Sequence, residues 1–120
     1  MPSLFEVTAG KAVGYVSGGA VTQITSKATG VTLNQPCGAI TTHAASLAGG
    51  AEVSFVVTNS TVAASDVVVA CVQSGATTGT YIVSVSAVDA GSFTATISNL
   101  GSTAGEALVM NFAVVKAAAA

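Results

Sequence analysis

The sequence predicts an all-β domain, an antiparallel jelly-roll-like sandwich of about eight strands. Three observations carry that expectation. Short segments with alternating polar and apolar residues recur along the chain, separated by glycine-, asparagine- and serine-rich breaks at the spacing of a sandwich or barrel. The apolar content is 51%, mostly alanine and valine, with only 5% aromatic residues, and β-branched residues favour a pleated, half-buried surface. The one stretch with helical propensity ahead of the alanine tail, residues 43–48, is too short for more than a turn of helix. An immunoglobulin-like sandwich is the second choice; it would normally bring a buried tryptophan and a disulfide, and the chain has no tryptophan.

Taken in order, residues 1–13 read as an extended arm or a frayed end, with Phe5 and Val7 alternating with Glu6 and Thr8. A short apolar piece at 12–16 contains Tyr15 and is closed by Ser17-Gly18-Gly19. Residues 20–26 alternate, Gly30 turns the chain, and 31–34 follow, so Gly18 to Asn34 reads as two short strands joined by a tight turn around Lys27. Pro36 breaks the run, and 37–42 is the next strand. Residues 51–59 form a clear strand with Val53, Phe55 and Val57 on one face. Residues 66–73 are apolar on both faces, as expected in the middle of a packed sheet or at an interface. Residues 80–88 and 92–99 flank a tight hairpin at Asp89-Ala90-Gly91. Residues 106–116 make the last strand, with Leu108, Met110, Phe112 and Val114 on one face. The expected organisation is therefore an arm (1–13), one sandwich domain (14–116) and a flexible alanine tail (117–120).

Charge narrows the function. Only 7% of the residues are charged, there is no arginine, and the three lysines are Lys11, Lys27 and Lys116; ordinary domains carry roughly 25%. Three lysines on a chain of net charge −2 neutralise few phosphates, which argues against nucleic acid as a partner. No apolar run approaches the length of a membrane span, and the first residues lack the basic and apolar regions of a signal peptide, so the chain is expected to start life in the cytoplasm, where Cys37 and Cys71 stay reduced. A surface so poor in charge is poorly solvated alone, which points to burial against other protein.

Chemistry is sparse. The chain has one histidine, His43, and five carboxylates: Glu6, Glu52, Asp66, Asp89 and Glu106. Catalysis needs such groups brought together, and no Gly-x-Ser-x-Gly elbow accompanies the histidine. Cys37 and His43 offer two ligands where zinc takes four, so both cysteines read as small buried apolar residues. Gly18-Gly19 lacks the lysine and helix of a phosphate loop. Asn59-Ser60-Thr61 matches a glycosylation acceptor but reads as a turn in a chain without a secretory signal. The expectation is no enzyme activity, no metal and no cofactor.

The chain resembles a family of small virion proteins of tailed bacteriophages and prophages. The residues that carry the likeness are Gly14-Tyr15, Gly18 to Gln23, Thr25 to Lys27, Thr29 to Asn34 and Cys37 to Thr41. It continues through Ala51 to Phe55, Thr58 to Ser60, Ser65 to Val69, Ala90 to Phe93 and Glu106 to Lys116, covering roughly residues 14 to 116. Such proteins look like capsid decoration or cement proteins: jelly-roll domains, often homotrimeric, that sit on the outer shell and bridge subunits of the major capsid protein; the likeness is more specific for phage origin than for head against tail. The resemblance implies a structural protein of the virion, made in the host bacterial cytoplasm. Where the family commonly has a basic residue after Leu-Asn, this chain has Gln35-Pro36, which weakens any charge-based contact there.

Two roles follow. In the first, the domain cements the capsid, and the arm supplies contacts to the shell through Ser3, Leu4, Phe5, Val7 and Lys11 by adding a strand to a neighbouring sheet edge. In the second, the domain is a fibre or receptor-binding module that recognises host surface glycans, with Tyr15 and Tyr81 as the aromatic candidates.

Overall fold

In the computed structural model, which describes Gly10, residues 14–16 and residues 18–117, the chain switches from one sheet to the other after almost every strand. The strands are β1 (Ala20–Thr22), β2 (Val31–Thr32), β3 (Cys37–Thr41), β4 (Glu52–Thr58), β5 (Val67–Ser74), β6 (Tyr81–Asp89), β7 (Ser92–Asn99) and β8 (Val109–Val115). They form two four-stranded sheets, I in the order β1-β3-β8-β5 and II in the order β2-β4-β7-β6. Consecutive strands share a sheet only at β6 and β7, where Ala90 and Gly91 (φ 82°) close a two-residue hairpin. The all-β sandwich and its strand number agree with the sequence reading; the strand order does not establish jelly-roll connectivity.

The sheets are mixed, whereas the sequence suggested antiparallel pairing throughout. β1 pairs parallel with β3, and β2 parallel with β4. The cause is the alternation between sheets. Each crossing reverses the chain, two crossings restore its direction, and strands two apart that become neighbours must then run parallel. The stretch from Gly18 to Asn34 is accordingly not a hairpin, since its two strands lie in different sheets. Residues 43–48 form no helical turn: Leu47 makes an isolated bridge with Ala104, exchanging hydrogen bonds of 2.9 and 3.2 Å.

The core lies between the sheets, and period-2 alternation fills it. Sheet II contributes Phe55, Val57, Val83, Phe93, Ala95 and Ile97; sheet I contributes Ile40, Val68, Met110, Phe112 and Val114, all buried. Phe93 and Phe112 meet across the sandwich with ring centroids 5.2 Å apart and planes tilted by 57°, a favoured aromatic geometry. Each fully buried large apolar side chain contributes about 1.5–3 kcal/mol. β5, apolar on both faces, is not in the middle of a sheet: among the described residues it is the edge of sheet I, paired only with β8. Its inward Val68 is buried and its outward Val67 and Val69 are 55% and 54% exposed.

Candidate functional site

The two outer faces of the sandwich differ in chemistry. On sheet I the pairing aligns Val67 with Val115, Val69 with Ala113 and Cys37, and Cys71 with Asn111, Ala39 and Ala20. A last row holds Val109, Thr41 and Thr22. None of these outward side chains is charged, and a shallow depression of about 230 Å³ lies along Val69, Cys71, Asn111 and Ala113. On sheet II the middle of the outer face is a band of hydroxyls. Ser54 and Thr96 are 2.8 Å apart, Thr96 donates to Ser86 at 3.0 Å, and Ser86 donates to the Thr94 carbonyl at 3.4 Å. Glu52 and Asp89 stand at opposite ends of that face. Sheet II also exposes Ile82 and Val56, but it carries both carboxylates, so sheet I is the face that can be covered without desolvating a charge.

Both cysteines belong to the sheet I face, contrary to their reading as buried residues. Cys71 is exposed and Cys37 is partly exposed. The Cys71 thiol donates to Asn111 Oδ1 at 2.9 Å and the Cys37 thiol to the Val16 carbonyl at 3.4 Å. Alternation places them outward, and alternation alone does not say which face of an alanine-valine strand is covered.

The loops at the end where β8 begins are tied together by buried polar side chains. Gln23 leaves the strand pattern and turns inward. Its Nε2 donates to the carbonyls of Lys27 and Thr29 at 2.9 and 2.8 Å, and its Oε1 accepts the His43 amide at 3.0 Å. This network holds the loop in which Thr25 adopts a φ of 70°, a backbone that β-branched residues rarely take. The Lys27 ammonium, 3% exposed, donates to the His43 carbonyl and, at 2.6 Å, to the Glu106 carbonyl. Burial lowers the Lys27 pKa, and the nearby Glu106 charge partly offsets it. His43 Nδ1 accepts the Ala45 amide at 3.0 Å, which fixes the neutral ring as the Nε2–H tautomer. Asn99 does the same work nearby, donating to the carbonyls of Leu47 and Ser102 at 2.8 and 3.0 Å.

Tyr81 and Tyr15 stand at opposite ends of β8. Tyr81 is buried, and its hydroxyl donates to Glu106 Oε1 at 3.4 Å. Burial first, and the Glu106 carboxylate second, raise its pKa. Glu106 also accepts the Thr77 amide at 2.8 Å and the Thr77 hydroxyl at 3.0 and 3.1 Å. A cavity of about 280 Å³ opens beside this group, lined by Val72, Gln73, Thr77 and Tyr81. Tyr15 is 47% exposed and donates its hydroxyl to the Val114 carbonyl. From Glu106 to Val114 an extended chain covers on the order of 20 Å, so the two tyrosines do not share one platform.

At the other end Asp66 makes the fold's closing ion pair. Its Oδ2 lies 2.5 Å from Lys116 Nζ and accepts the Ala63 amide at 2.8 Å. Lys116 also donates to the Thr61 carbonyl at 2.9 Å. The hydrogen bond from Lys116, then the Ala63 amide, lower the Asp66 pKa. Asn59 is wholly buried and donates Nδ2 to the Gln35 carbonyl at 2.7 Å, so the glycosylation-like triplet is a structural turn. The arm residues Ser3, Leu4, Phe5, Val7 and Lys11 lie outside the described residues.

Among the described residues no three of His, Cys, Asp and Glu gather as metal ligands, and no helix is long and apolar enough to cross a membrane. Comparison of the chain with protein-family models, with curated proteins and with solved structures gives no match.

Proposed function

We propose that this chain is a non-enzymatic structural protein of a tailed-phage particle, a capsid decoration or cement protein that docks as a homotrimer on the outer surface of a shell of major capsid protein. The observation that carries the reading is the uncharged outer face of sheet I, with Val67, Val69, Ala113 and Val115 side by side. Such a face loses little hydration when covered by protein. Each copy bound to the assembled shell and not to its dissociated subunits stabilises the shell by mass action. The resemblance of residues 14 to 116 to decoration proteins supports the same role. The titratable groups favour it over chemistry: Lys27, Asp66 and Glu106 are each engaged in bonds that hold loops together. The glycan-binding alternative draws less support, because Tyr81 is buried and lies far from Tyr15.

The test is decoration of bare capsids. Wild-type protein is expected to co-sediment with undecorated shells and to raise the temperature at which they release DNA. The Val69→Lys, Ala113→Lys double variant, folded to the same thermal midpoint, is expected to do neither. Equal binding by both proteins would overturn the role of this face. Scarcity of the protein in purified virions, relative to major capsid protein on a gel, would overturn the cement reading itself.

A further inference from the structure

We infer that the mouth between the two sheets, at the loop joining β5 to β6, is a binding pocket for a single ring of an uncharged saccharide. The inference goes beyond the decoration role and does not rest on it. The pocket opens between the sheets, whereas the face proposed to dock is the outer side of sheet I, and Tyr15 has no part in it.

The pocket lies where the core runs out. Val72 pairs with the buried Met110, and Tyr81 continues the inward row of Val83, so both side chains point between the sheets. Val72 is nevertheless 37% exposed, because the layers end here and a cavity of about 280 Å³ takes the place of further core. Val72, Ala76 and Tyr81 form its apolar wall. Its rim is polar. The bulge between Val72 and Ser74 inserts Gln73, and bulges re-aim side chains. Gln73, Ser74 and Thr78 line the pocket and are exposed, and their side chains bond to no other described residue. The loop that carries them is held from both sides. Glu106 binds the Thr77 amide and hydroxyl, the Thr80 amide donates to the Thr77 carbonyl at 3.2 Å, and the Thr80 carbonyl accepts the Leu100 amide at 2.8 Å. A rim fixed in this way costs little further ordering when a ligand binds.

The lining selects the class of ligand. It holds no lysine or histidine, so an anion finds no counter-charge there. The adjoining carboxylate, Glu106, already accepts the Thr77 amide, the Thr77 hydroxyl and the Tyr81 hydroxyl, and a metal ion would find no second carboxylate beside it. A wholly apolar ligand would cover the amide and hydroxyls of the rim without pairing them. A pyranose ring meets both halves. Its C–H face suits the wall of Val72, Ala76 and the body of Tyr81, and its hydroxyls pair with Gln73, Ser74 and Thr78. The volume lies just under the roughly 300–1,000 Å³ of pockets for drug-sized ligands, which is room for one ring, with any further rings of a chain left in solvent.

The experiment titrates the isotope-labelled full chain with the methyl glycosides of glucose, galactose and mannose, and with N-acetylneuraminate as the charged comparator, and follows the amide resonances. At least one neutral glycoside is expected to shift the amides of residues 72–81 and to saturate in the millimolar range. The Gln73→Ala, Thr78→Ala double variant, which removes two exposed rim groups and is checked by the same thermal melt as wild type, is expected to bind about tenfold more weakly, the loss of one or two hydrogen bonds. The chain lacking residues 2–9 is expected to bind as wild type does. No shift with any neutral glycoside, shifts centred elsewhere in the domain, or equal affinity of the double variant would overturn the pocket. Binding of N-acetylneuraminate as tight as that of the neutral sugars would overturn the uncharged class. Binding that appears only after the deletion would overturn the proposal as well, because the mouth would then be the seat of the chain's own first residues.

Discussion

The Lys27 ammonium donates to the backbone carbonyl of Glu106 at 2.6 Å across 79 residues of sequence. With its second bond, to the His43 carbonyl, it joins three loops that belong to different crossings of the sandwich. Lys27→Met keeps the side-chain length and removes the donor, leaving two carbonyls without it. The expected cost is about 1–3 kcal/mol, read as a lower urea midpoint with an unchanged slope. A midpoint equal to wild type would show that the ammonium holds nothing.

Acid should open the opposite end first. The Asp66 pKa is lowered in the folded chain from 3.8 by its bonds to Lys116 and Ala63. Its contribution is fully present above the unfolded value and is lost as pH falls through the lower, folded one. Amide exchange at Ala63 and Ala117, both bonded to Asp66, is expected to rise below about pH 4 before exchange in β7 does. Asp66→Asn should show the faster exchange already at neutral pH. Simultaneous loss of protection in β7 and at Ala63 would count against a local clamp.

Gly18 is required by space. A Cβ there would lie 1.6 Å from the Cys37 carbonyl oxygen, a backbone atom that cannot swing away. Gly18→Ala must push β3 aside or displace the chain ahead of β1, at a cost of about 1–3 kcal/mol as for other overpacking. Gly14→Ala meets nothing within 4 Å and serves as the neutral control in the same thermal melt.

The two thiols should separate by reactivity. Cys71 is exposed and Cys37 only partly so, and access governs alkylation when neither thiol sits in a charged environment. Iodoacetamide under native conditions, followed by peptide mass spectrometry, is expected to label Cys71 several-fold faster. Equal rates would mean that Cys37 is uncovered by movement of residues 14–16.

How much of this was legible depended on strand length and burial. β4, β6, β7 and β8 appear in the sequence within three residues of their observed ends, because each alternates over at least seven positions against a core of Phe55, Phe93, Ile97 and Met110. Alternation over 20–26 outruns the strand, which stops at Thr22, because Gln23 has a polar use that alternation does not encode. The assignment of strands to sheets was not legible, since crossing loops decide it and their carbonyl partners lie up to 79 residues away. Val67 to Val72 read as central or interfacial for a sound reason. Apolar residues on both faces say that both are meant to be covered, and the sandwich covers only one.

The place of β8 sets the order in which the molecule can be made. It is the last strand among the described residues and sits between β3 and β5, antiparallel to both. Sheet II can zip from its local hairpin, β6 with β7, as soon as Asn99 has emerged, whereas β3 and β5 have no strand to join them until Val115 follows. Closure across such sequence separations is slow, and a nascent chain paused before β8 exposes two unjoined apolar strands. Slow synthesis between Asn99 and Val115 therefore prolongs the exposure of β3 and β5, and a segment that shields them until β8 arrives would shorten it.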